Sequence, residues 1–292
     1  MLTGLNVALI GGDARQLEVI RKLEELDAKI ILVGFDQLDH GYVGADKQKI
    51  DEVDFSSLNA IILPVPGTNL EGEVDTVFSN EKIFLTVEMI EQTPENCTIY
   101  SGITNPYLEK LIEKTNREHI QLFDRDDVAI YNSIPTVEGT IMMVIQHTDF
   151  TIHGSNVIVL GLGRVGMSVA RAFSALGAKV KVGARKSSHL ARVYEMGLMP
   201  FHINELEKEC CNVDICINTI PFEVLSAQVI SNMPTQAFIV DLASKPGGTD
   251  FRYAEKRGIK ALLAPGLPGI VAPKTAGKII ADVLAKLLSS NK

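Results

Sequence analysis

The chain has 292 residues, and 46% of them are hydrophobic, which is enough for the buried cores of two ordinary domains. Its formal net charge of −8 excludes a broad surface for nucleic acid or an anionic membrane. No apolar run approaches the roughly 20 residues of a membrane helix. The four cysteines show neither a metal-ligand spacing nor a disulfide framework, so we expect a soluble cytoplasmic protein without a metal site.

Short apolar runs alternate with helical stripes through the first part of the chain. A stripe of Leu17, Ile20, Leu23 and Leu26 predicts one helix, and Asn105-Pro106 begins another. The strands predicted in this part are Leu5–Ile10, Lys29–Gly34, Ala60–Leu63, Thr98–Ser101 and His119–Phe123. The alternation is typical of a doubly wound α/β domain.

The segment Gly11–Gln16 lies between the first strand and its helix. It lacks the third glycine of a dinucleotide-binding turn, so a second nucleotide site is only weakly indicated. A helix N-terminus next to an arginine favours a small anion such as a carboxylate, which makes Arg15 a candidate binding residue. Asp13 is a further candidate, although capping the helix is its more ordinary role.

The chain becomes charged near Asp124–Asp127 and then crosses into a new segment. Thr136–His147 is predicted to be a helix that Pro135 opens and that bridges two domains. Glu138 lies in the first turn of this predicted helix, where an acid suits the helix dipole. The first domain is expected to cover residues 1–128 and to be completed by a terminal helix at about 274–292. The second is expected to cover 129–273.

A second series of strands and helices begins after the bridge. Its predicted strands are Asn156–Leu160, Lys179–Gly183, Val213–Asn218, Ala237–Asp241 and Ile259–Leu262. A last helix is predicted from about Lys274 to Leu288. The expected fold is therefore α/β, with two doubly wound, Rossmann-like parallel sheets, a bridging helix and a C-terminal helix that returns to the first domain.

The first turn of the second domain carries a glycine pattern that binds dinucleotides. Gly161 permits a tight turn, Gly163 lets a pyrophosphate approach the backbone, and Gly166 lets the helix pack on the strand. Arg164 and Val165 open the helix, whose free N–H groups attract phosphates. Strand, motif, helix and second strand follow in register, which is the context that the motif needs.

The end of the second strand of this domain selects the cofactor. NAD-binding enzymes place an acid there to hold the ribose hydroxyls, but this strand runs into Arg185, Lys186 and Ser187. A guanidinium binds a 2′-phosphate bidentately, and the Ser187 hydroxyl can donate to it. NADP(H) is therefore the predicted cofactor.

Three later loops complete the predicted binding edge, because ligands of open α/β sheets lie beyond the carboxyl ends of the strands. The loop after the predicted strand Val213–Asn218 is expected beside the nicotinamide ribose. The loop after the predicted strand Ala237–Asp241 is expected beside the nicotinamide. A rigid Pro/Gly loop follows the last strand, although a plain turn into the terminal helix explains it equally well. The cofactor residues placed here are Thr219, Ile220, Pro221, Asp241, Leu242, Pro265, Gly266 and Leu267. No histidine lies in a recognisable dyad, so the catalytic base is unassigned.

Four segments together resemble one family over essentially the whole chain. They are Gly11–Gln16, Pro135–Gly139, Gly161–Gly166 and Ala264–Gly269, and their order and spacing resemble the dipicolinate synthase A-subunit family of spore-forming bacteria. The resemblance implies NADP-dependent oxidation of a dihydrodipicolinate-type product of the lysine pathway to pyridine-2,6-dicarboxylate, in the mother cell during sporulation. It also implies that the partner is a flavoprotein-like B subunit.

This chemistry needs a ring held against the nicotinamide and two carboxylates held by the protein. Arg15 is the first candidate for one carboxylate and Lys245 the second, while Thr136 and Glu138 are expected at the border of an interdomain cleft. A homo-oligomer is also expected. Two alternatives stay open: another NADP-dependent dehydrogenase of a small carboxylate or amino acid, and a regulatory subunit that senses NADP without catalysis.

Overall fold

A computed structural model describes residues 1–39 and 41–290. The chain divides into two compact units. Unit 1 comprises Met1–Tyr131 and Ala272–Lys292, and unit 2 comprises Asn132–Val271. Residues 291 and 292 of the predicted terminal helix lie outside the described residues.

Unit 1 is built on a six-stranded parallel sheet in the order β3-β2-β1-β4-β7-β8, with a two-stranded antiparallel ribbon, β5-β6. Its strands are β1 Asn6–Ile10, β2 Lys29–Val33, β3 Ala45–Gln48, β4 Ala60–Ile62, β5 Glu73–Val74, β6 Ile83–Phe84, β7 Thr98–Ser101 and β8 Glu118–Gln121. Its helices are α1 Arg15–Glu25, α2 Val87–Glu91 and α3 Pro106–Thr115, followed by α4 Asp126–His147, which runs on into unit 2.

Unit 2 repeats this topology with a six-stranded parallel sheet in the order β11-β10-β9-β12-β13-β14. Its strands are β9 Asn156–Leu160, β10 Lys179–Ala184, β11 Met199–His202, β12 Ile215–Asn218, β13 Phe238–Asp241 and β14 Lys260–Leu263. The helices are α5 Arg164–Ala175, α6 Ser187–Glu195, α7 Leu206–Glu209, α8 Ala227–Ser231, α9 Phe251–Lys256 and α10 Leu267–Val271, and α11 Pro273–Ser290 then returns to unit 1. The predicted fold class is confirmed.

Each sheet is apolar on both faces because helices cover both sides. In β1, Val7 and Leu9 pack with α1 and α11, whereas Ala8 and Ile10 face the α2–α3 side. Alternate residues of β9 divide in the same way between two cores. The strand order changes direction between β1 and β4, and between β9 and β12, so each sheet opens a crevice at the carboxyl ends of these strands.

The terminal helix α11 packs closely on α1. A Cβ at Gly277 would lie 2.5 Å from the carbonyl oxygen of Arg15, so only glycine allows this approach of the two helices. Ile280, Leu284 and Leu288 of α11 lie in the same core as β1 and β2. The last helix therefore closes one face of the first sheet.

The predicted start of the bridging helix is wrong. Helix α4 begins at Asp126, nine residues before Pro135, which lies inside it. Asp126 and Asp127 occupy the first turn, where they suit the helix dipole. Val128 packs in the core of unit 1 and Val137 in a core of unit 2, so α4 is held by packing on both sides of the proline, and this packing outweighs the lost N–H. Glu138 is consequently deep inside the helix and has no role at its first turn.

Four strands were missed: the two-residue strands β5 and β6 of the small ribbon, and β3 and β11 at the edges of the two six-stranded sheets. β3 is polar and half exposed, and β11 contains Pro200, which has no N–H to donate to a neighbouring strand. Edge strands need not be apolar on both faces, so neither segment carries the buried pattern used for prediction. The predicted loop Pro265–Gly269 is also partly wrong, because helix α10 begins at Leu267.

Helix α4 is long and apolar enough, by length and composition alone, to cross a membrane. This is weak evidence, since core helices of soluble proteins meet the same criteria, and 39% of its apolar window is buried inside the protein.

Candidate functional site

The turn Gly161–Gly166 requires its first and third glycines for steric reasons. Gly161 has a φ of +96°, which favours glycine, and its N–H donates to the carbonyl of Gly183 at 2.9 Å. A Cβ on Gly166 would lie 2.2 Å from the carbonyl oxygen of Gly161. The start of α5 can therefore pack on the end of β9 only with glycine at both positions.

Gly163 faces open space. Apart from its chain neighbours, no heavy atom of the described residues lies within 4 Å of the position of a Cβ on Gly163. Gly163 is the N-cap of α5, which begins with Arg164 and Val165, while buried Leu162 anchors the turn in the core. The exposed backbone and the positive end of a twelve-residue helix form a cradle that fits a pyrophosphate.

The strand end beside this cradle carries positive charge. β10 ends at Ala184 and is followed by exposed Arg185 and Lys186. Ser187 is the first residue of α6, so its N–H and hydroxyl lie at a helix N-terminus. No carboxylate stands between Gly183 and Ser188, so nothing in this segment repels a phosphate.

The loop after β12 contacts the glycine turn and supports it. The Thr219 hydroxyl donates to the carbonyl of Leu160 at 2.8 Å and would lie 3.1 Å from a Cβ on Gly166. Ile220 is half buried, and its N–H donates to Oδ1 of Asn218 at 3.0 Å, while Pro221 is exposed. Thr219 thus helps to shape the turn, and the loop leaves Pro221 at the surface.

Asp241 is fully buried at the end of β13, and its carboxylate accepts four hydrogen bonds. Oδ1 accepts from the Asn218 amide at 3.0 Å and from the N–H of Ala243 at 3.0 Å. Oδ2 accepts from the N–H of Gly248 at 2.8 Å and from the Thr249 hydroxyl at 2.6 Å. The side chain therefore fixes the Leu242–Thr249 loop at the sheet edge and has no free face for a cofactor.

Asn218 and Gly248 were missed by sequence reasoning. The Asn218 amide also donates to the carbonyl of Ile220 at 3.0 Å, so one side chain joins the loops after β12 and β13. A Cβ on Gly248 would lie 2.4 Å from the carbonyl oxygen of Phe222. A polar residue at the end of a fully apolar strand was the available signal for Asn218. The residues next to Gly248 in sequence gave no sign that it lies against the loop after β12.

The remaining predicted residues of unit 2 differ in exposure. Lys245 is exposed in the loop held by Asp241. Pro265 and Gly266 are exposed, but Leu267 is buried, and a Cβ on Gly139 would lie 2.9 Å from its Cβ. Only the backbone of Leu267 can face a ligand.

Thr136 and Glu138 also point apart. They are two positions apart on α4, which is about 200° around a helix. The Thr136 hydroxyl donates to the carbonyl of Asn132 at 2.8 Å, whereas Glu138 lines a groove between α4 and α5. The two side chains therefore leave α4 on different faces, and their place at the border of an interdomain cleft stays a prediction.

The equivalent turn of unit 1 is covered by the chain itself. Gly11 has a φ of +65° and donates to the carbonyl of Val33 at 2.9 Å, as Gly161 does to Gly183. However, the N–H of Gly12 donates to the carbonyl of Asp75 at 2.8 Å, and its carbonyl accepts from the N–H of Val77 at 2.9 Å. A backbone segment thus occupies the space above the turn.

Asp13 and Arg15 form a bidentate ion pair beside this turn. Nε of Arg15 donates to Oδ1 at 2.9 Å, and Nη2 donates to Oδ2 at 2.6 Å. Burial raises the pKa of Asp13, but hydrogen bonds from the guanidinium and the backbone of Arg15 outweigh it and hold the pKa below its usual value. The pair borders a narrow cleft with about 10 Å³ of free space, which Pro64, Gly102 and Ile280 also line. A ligand carboxylate has to share the Arg15 guanidinium with Asp13 or displace it.

A contact between a histidine and a serine was not visible in the sequence. Nε2 of His119 lies 2.8 Å from Oγ of buried Ser101, and this hydroxyl also lies 2.7 Å from the carbonyl of Ile103. Burial lowers the pKa of His119. His119 pairs in register with Ile99, whose side chain faces the α3 side of the sheet, away from the Arg15 cleft. The pair therefore braces the strand end.

Comparisons with known proteins agree over both units. Residues 6–123 match the family model of the N-terminal domain of the dipicolinate synthase A subunit, and residues 136–290 match that of the alanine dehydrogenase/PNT C-terminal domain. The dipicolinate synthase A subunit of Bacillus subtilis is 64% identical over 99% of this chain and 97% of its own length.

Solved structures give the same relationship. The crystal structure of the dipicolinate synthase A subunit from Bacillus halodurans superposes with a TM-score of 0.98 at 69% identity and covers 99% of both chains. A transhydrogenase from Sinorhizobium meliloti, 14% identical, reaches a TM-score of 0.67 over 97% of this chain and 94% of its own, which shows likeness of fold alone. The family match of residues 136–290 makes the second unit a dehydrogenase-like domain of the type that binds nicotinamide dinucleotides.

Proposed function

Since the chain belongs to the dipicolinate synthase A-subunit family, we propose that it oxidises a dihydrodipicolinate-type precursor to dipicolinate with NADP⁺. NADP⁺, when bound, supplies a hydride acceptor at C4 of its nicotinamide ring, and the substrate's second hydrogen leaves as a proton. The product ring is aromatic, so the reaction does not depend on a strongly activated base. The family relationship carries the substrate part of this proposal.

The preference for NADP rests on the end of β10. Arg185 and the N-terminus of α6 provide a positively charged site in the place where NAD-dependent enzymes hold an acid. A planar guanidinium with fixed donors suits a phosphate dianion. The glycine turn positions the pyrophosphate, and the loops fixed by Asp241 and Asn218 form the nicotinamide edge.

In unit 1, Arg15 is proposed to hold one substrate carboxylate, with Asp13 fixing the orientation of the guanidinium. Lys245 is the second proposed cation. The proposed setting is the cytoplasm of the mother cell of a sporulating bacterium, and the proposed partner is a flavoprotein-like B subunit. That B subunit would complete the synthase.

The substrate proposal is tested by turnover. The purified chain is incubated with dihydrodipicolinate and NADP⁺, with and without the B subunit, and dipicolinate is followed by its ultraviolet absorption. Formation of dipicolinate is expected in at least one condition. Its absence from both contradicts the proposal and favours a dehydrogenase of another small carboxylate or an NADP-sensing regulatory subunit.

The cofactor proposal is tested by Arg185→Ala. Loss of a charge-assisted phosphate contact should weaken NADPH binding by about 1.5–3 kcal/mol and leave NADH binding nearly unchanged, as measured by titration calorimetry. Arg192→Ala is the matched control, because Arg192 is an exposed arginine near the other end of α6, paired with Glu195. Equal affinity of the wild type for NADPH and NADH would overturn the assignment.

A further inference from the structure

An open groove runs along unit 2 between α4 and α5. It is open to solvent and offers about 710 Å³ of free space. Ile134, Val137 and Ile141 of α4 form one wall, and Ala172 and Ala175 of α5 form the other. The hydroxyls of Ser133 and Ser168, 2.9 Å apart, join the two helices.

The α4 wall also rises as an exposed ridge. Ile134 is 54% exposed and Ile145 is 63% exposed. Together with Glu138 and Ile141 they are spaced by four, three and four residues, which places them along one face of the helix. Large apolar side chains exposed in a row are typical of a surface that another protein covers.

The opposite wall, on α5, is lined mostly by small side chains. Ser168, Ala172 and Ala175 lie three to four residues apart on α5 and have short side chains, so a second helix can approach closely. The same face of the molecule thus offers a ridge of large residues beside a trough of small ones. Such a face is complementary in shape to a copy of itself.

Its charges are complementary in the same sense. Glu138 and Arg171 are the charged groups that line the groove, and within the described part of the chain neither forms an ion pair. In a two-fold arrangement, a contact of one copy's Glu138 with the other's Arg171 is made twice. An anionic membrane is disfavoured by the net charge of −8.

We propose that this groove is a dimer interface, in which α4 of one copy packs between α4 and α5 of the other and Glu138 of each copy pairs with Arg171 of the other. An interface of standard size takes about 20–30 residues from each partner. The groove is therefore the centre of the interface, and residues around it form the rim.

Charge exchange tests the proposal on the full-length chain, with sedimentation velocity over a wide concentration range. The wild type should be a dimer. Glu138→Arg and Arg171→Glu should each raise the dimer dissociation constant on the order of a hundredfold, because each places like charges together twice. The double variant E138R/R171E should return to near the wild-type value, since the pairs are restored with opposite polarity.

Two controls keep the result specific. Ile134→Ser should weaken the dimer, whereas Leu70→Ser, which changes a side chain 70% exposed in unit 1, should leave it unchanged. Circular dichroism melts confirm that each variant folds. A monomeric wild type, or a double variant no stronger than the single ones, overturns the proposal. So does a monomer whose groove variants lose only the B subunit, because the groove then serves that partner.

Discussion

Two turns of the same topology lie at the start of the two sheets, and they differ in what covers them. Gly11 and Gly161 both adopt positive φ and both donate to the second strand of their sheet at 2.9 Å. Two residues later, unit 1 has Asp13 and unit 2 has Gly163. Five residues later, unit 1 has buried Gln16 and unit 2 has Gly166.

The difference teaches that the backbone turn alone does not make a phosphate site. In unit 1 the N–H of Gly12 is already bonded to Asp75, and the carboxylate of Asp13 stands at the position that corresponds to Gly163. An acid there repels phosphate, and a backbone segment closes the space above the turn. In unit 2 no described residue other than its chain neighbours comes within 4 Å of a Cβ on Gly163, so of these two turns the second fits the phosphates of a dinucleotide.

The largest expected effect comes from making the second turn resemble the first. Gly163→Asp should weaken NADPH binding by about 4 kcal/mol, roughly a thousandfold, because a carboxylate would face the pyrophosphate. The melting temperature without cofactor should change little, since open space surrounds the new Cβ. Calorimetric titration and thermal melts measure the two effects.

Gly163→Ala separates size from charge. Its methyl group also occupies the pyrophosphate side of the turn, but it carries no charge, so its loss of affinity should be clearly smaller than that of Gly163→Asp. If both variants bind NADPH as tightly as the wild type, the turn is not the phosphate site, and the contrast between the two units fails.

The second prediction compares the buried polar groups at the ends of β7 and β13, which occupy the same place in the two sheets. Asp241 accepts four hydrogen bonds in unit 2, whereas Ser101 in unit 1 forms neutral ones to Ile103 and His119. Asp241→Asn should cost about 3 kcal/mol of stability, because an amide N–H₂ must face at least one donor and the charge is lost. Ser101→Ala should cost about 1 kcal/mol.

Hydrogen exchange locates the loss. In Asp241→Asn the N–H groups of Ala243 and Gly248 should exchange much faster than in the wild type, because their acceptor is weakened. Ser101→Ala should leave these two amides protected. Equal destabilisation by the two variants, or unchanged protection of Gly248, would show that Asp241 does not fix the loop.

Much of this comparison was visible in the sequence. The strands at the centre of each sheet were predicted because they are short apolar runs, and the glycine turn because its spacing has one steric explanation. The edge strands β3 and β11 were not, since a polar or proline-containing edge carries no burial pattern. The start of α4 was misplaced because a rule for proline at helix starts ignores packing on both sides of it.

The site was predictable only in part because its supports are distant in sequence. Asp241 was correctly identified as a strand end, but its partners Asn218, Gly248 and Thr249 are found only once the strands are paired. Similarly, Gly11–Gln16 gave no sign that Asp75 and Val77 cover it, because a segment some sixty residues away in sequence provides them. Local sequence patterns predict a turn, whereas tertiary contacts decide whether another segment of the chain covers it.

The smallest expected effect concerns the ion pair that stands where unit 2 has open glycine backbone. The pKa of Asp13 is held below its usual value, so the stabilisation is complete above the unfolded-state pKa near 3.9 and is lost as pH falls through the lower folded-state pKa. With Asp13 about one-third exposed, the pair should contribute less than about 1 kcal/mol. Asp13→Asn should therefore lower the melting temperature slightly at neutral pH, and its melting curve should converge with that of the wild type in acid.

The chain offers a matched control in Arg125 and Asp127, which have the same sequence separation and the same bidentate geometry at 3.0 and 2.9 Å. Their side chains are 42% and 44% exposed, against 12% for Arg15. Solvent screens the exposed pair more strongly, so Asp127→Asn should shift the melting temperature less than Asp13→Asn at every pH above about 4. Equal shifts would mean that burial of Arg15 adds nothing to the pair. Asp13 would then be a solvated acid, and the contrast between the two turns would rest on Asp75 and Val77 alone.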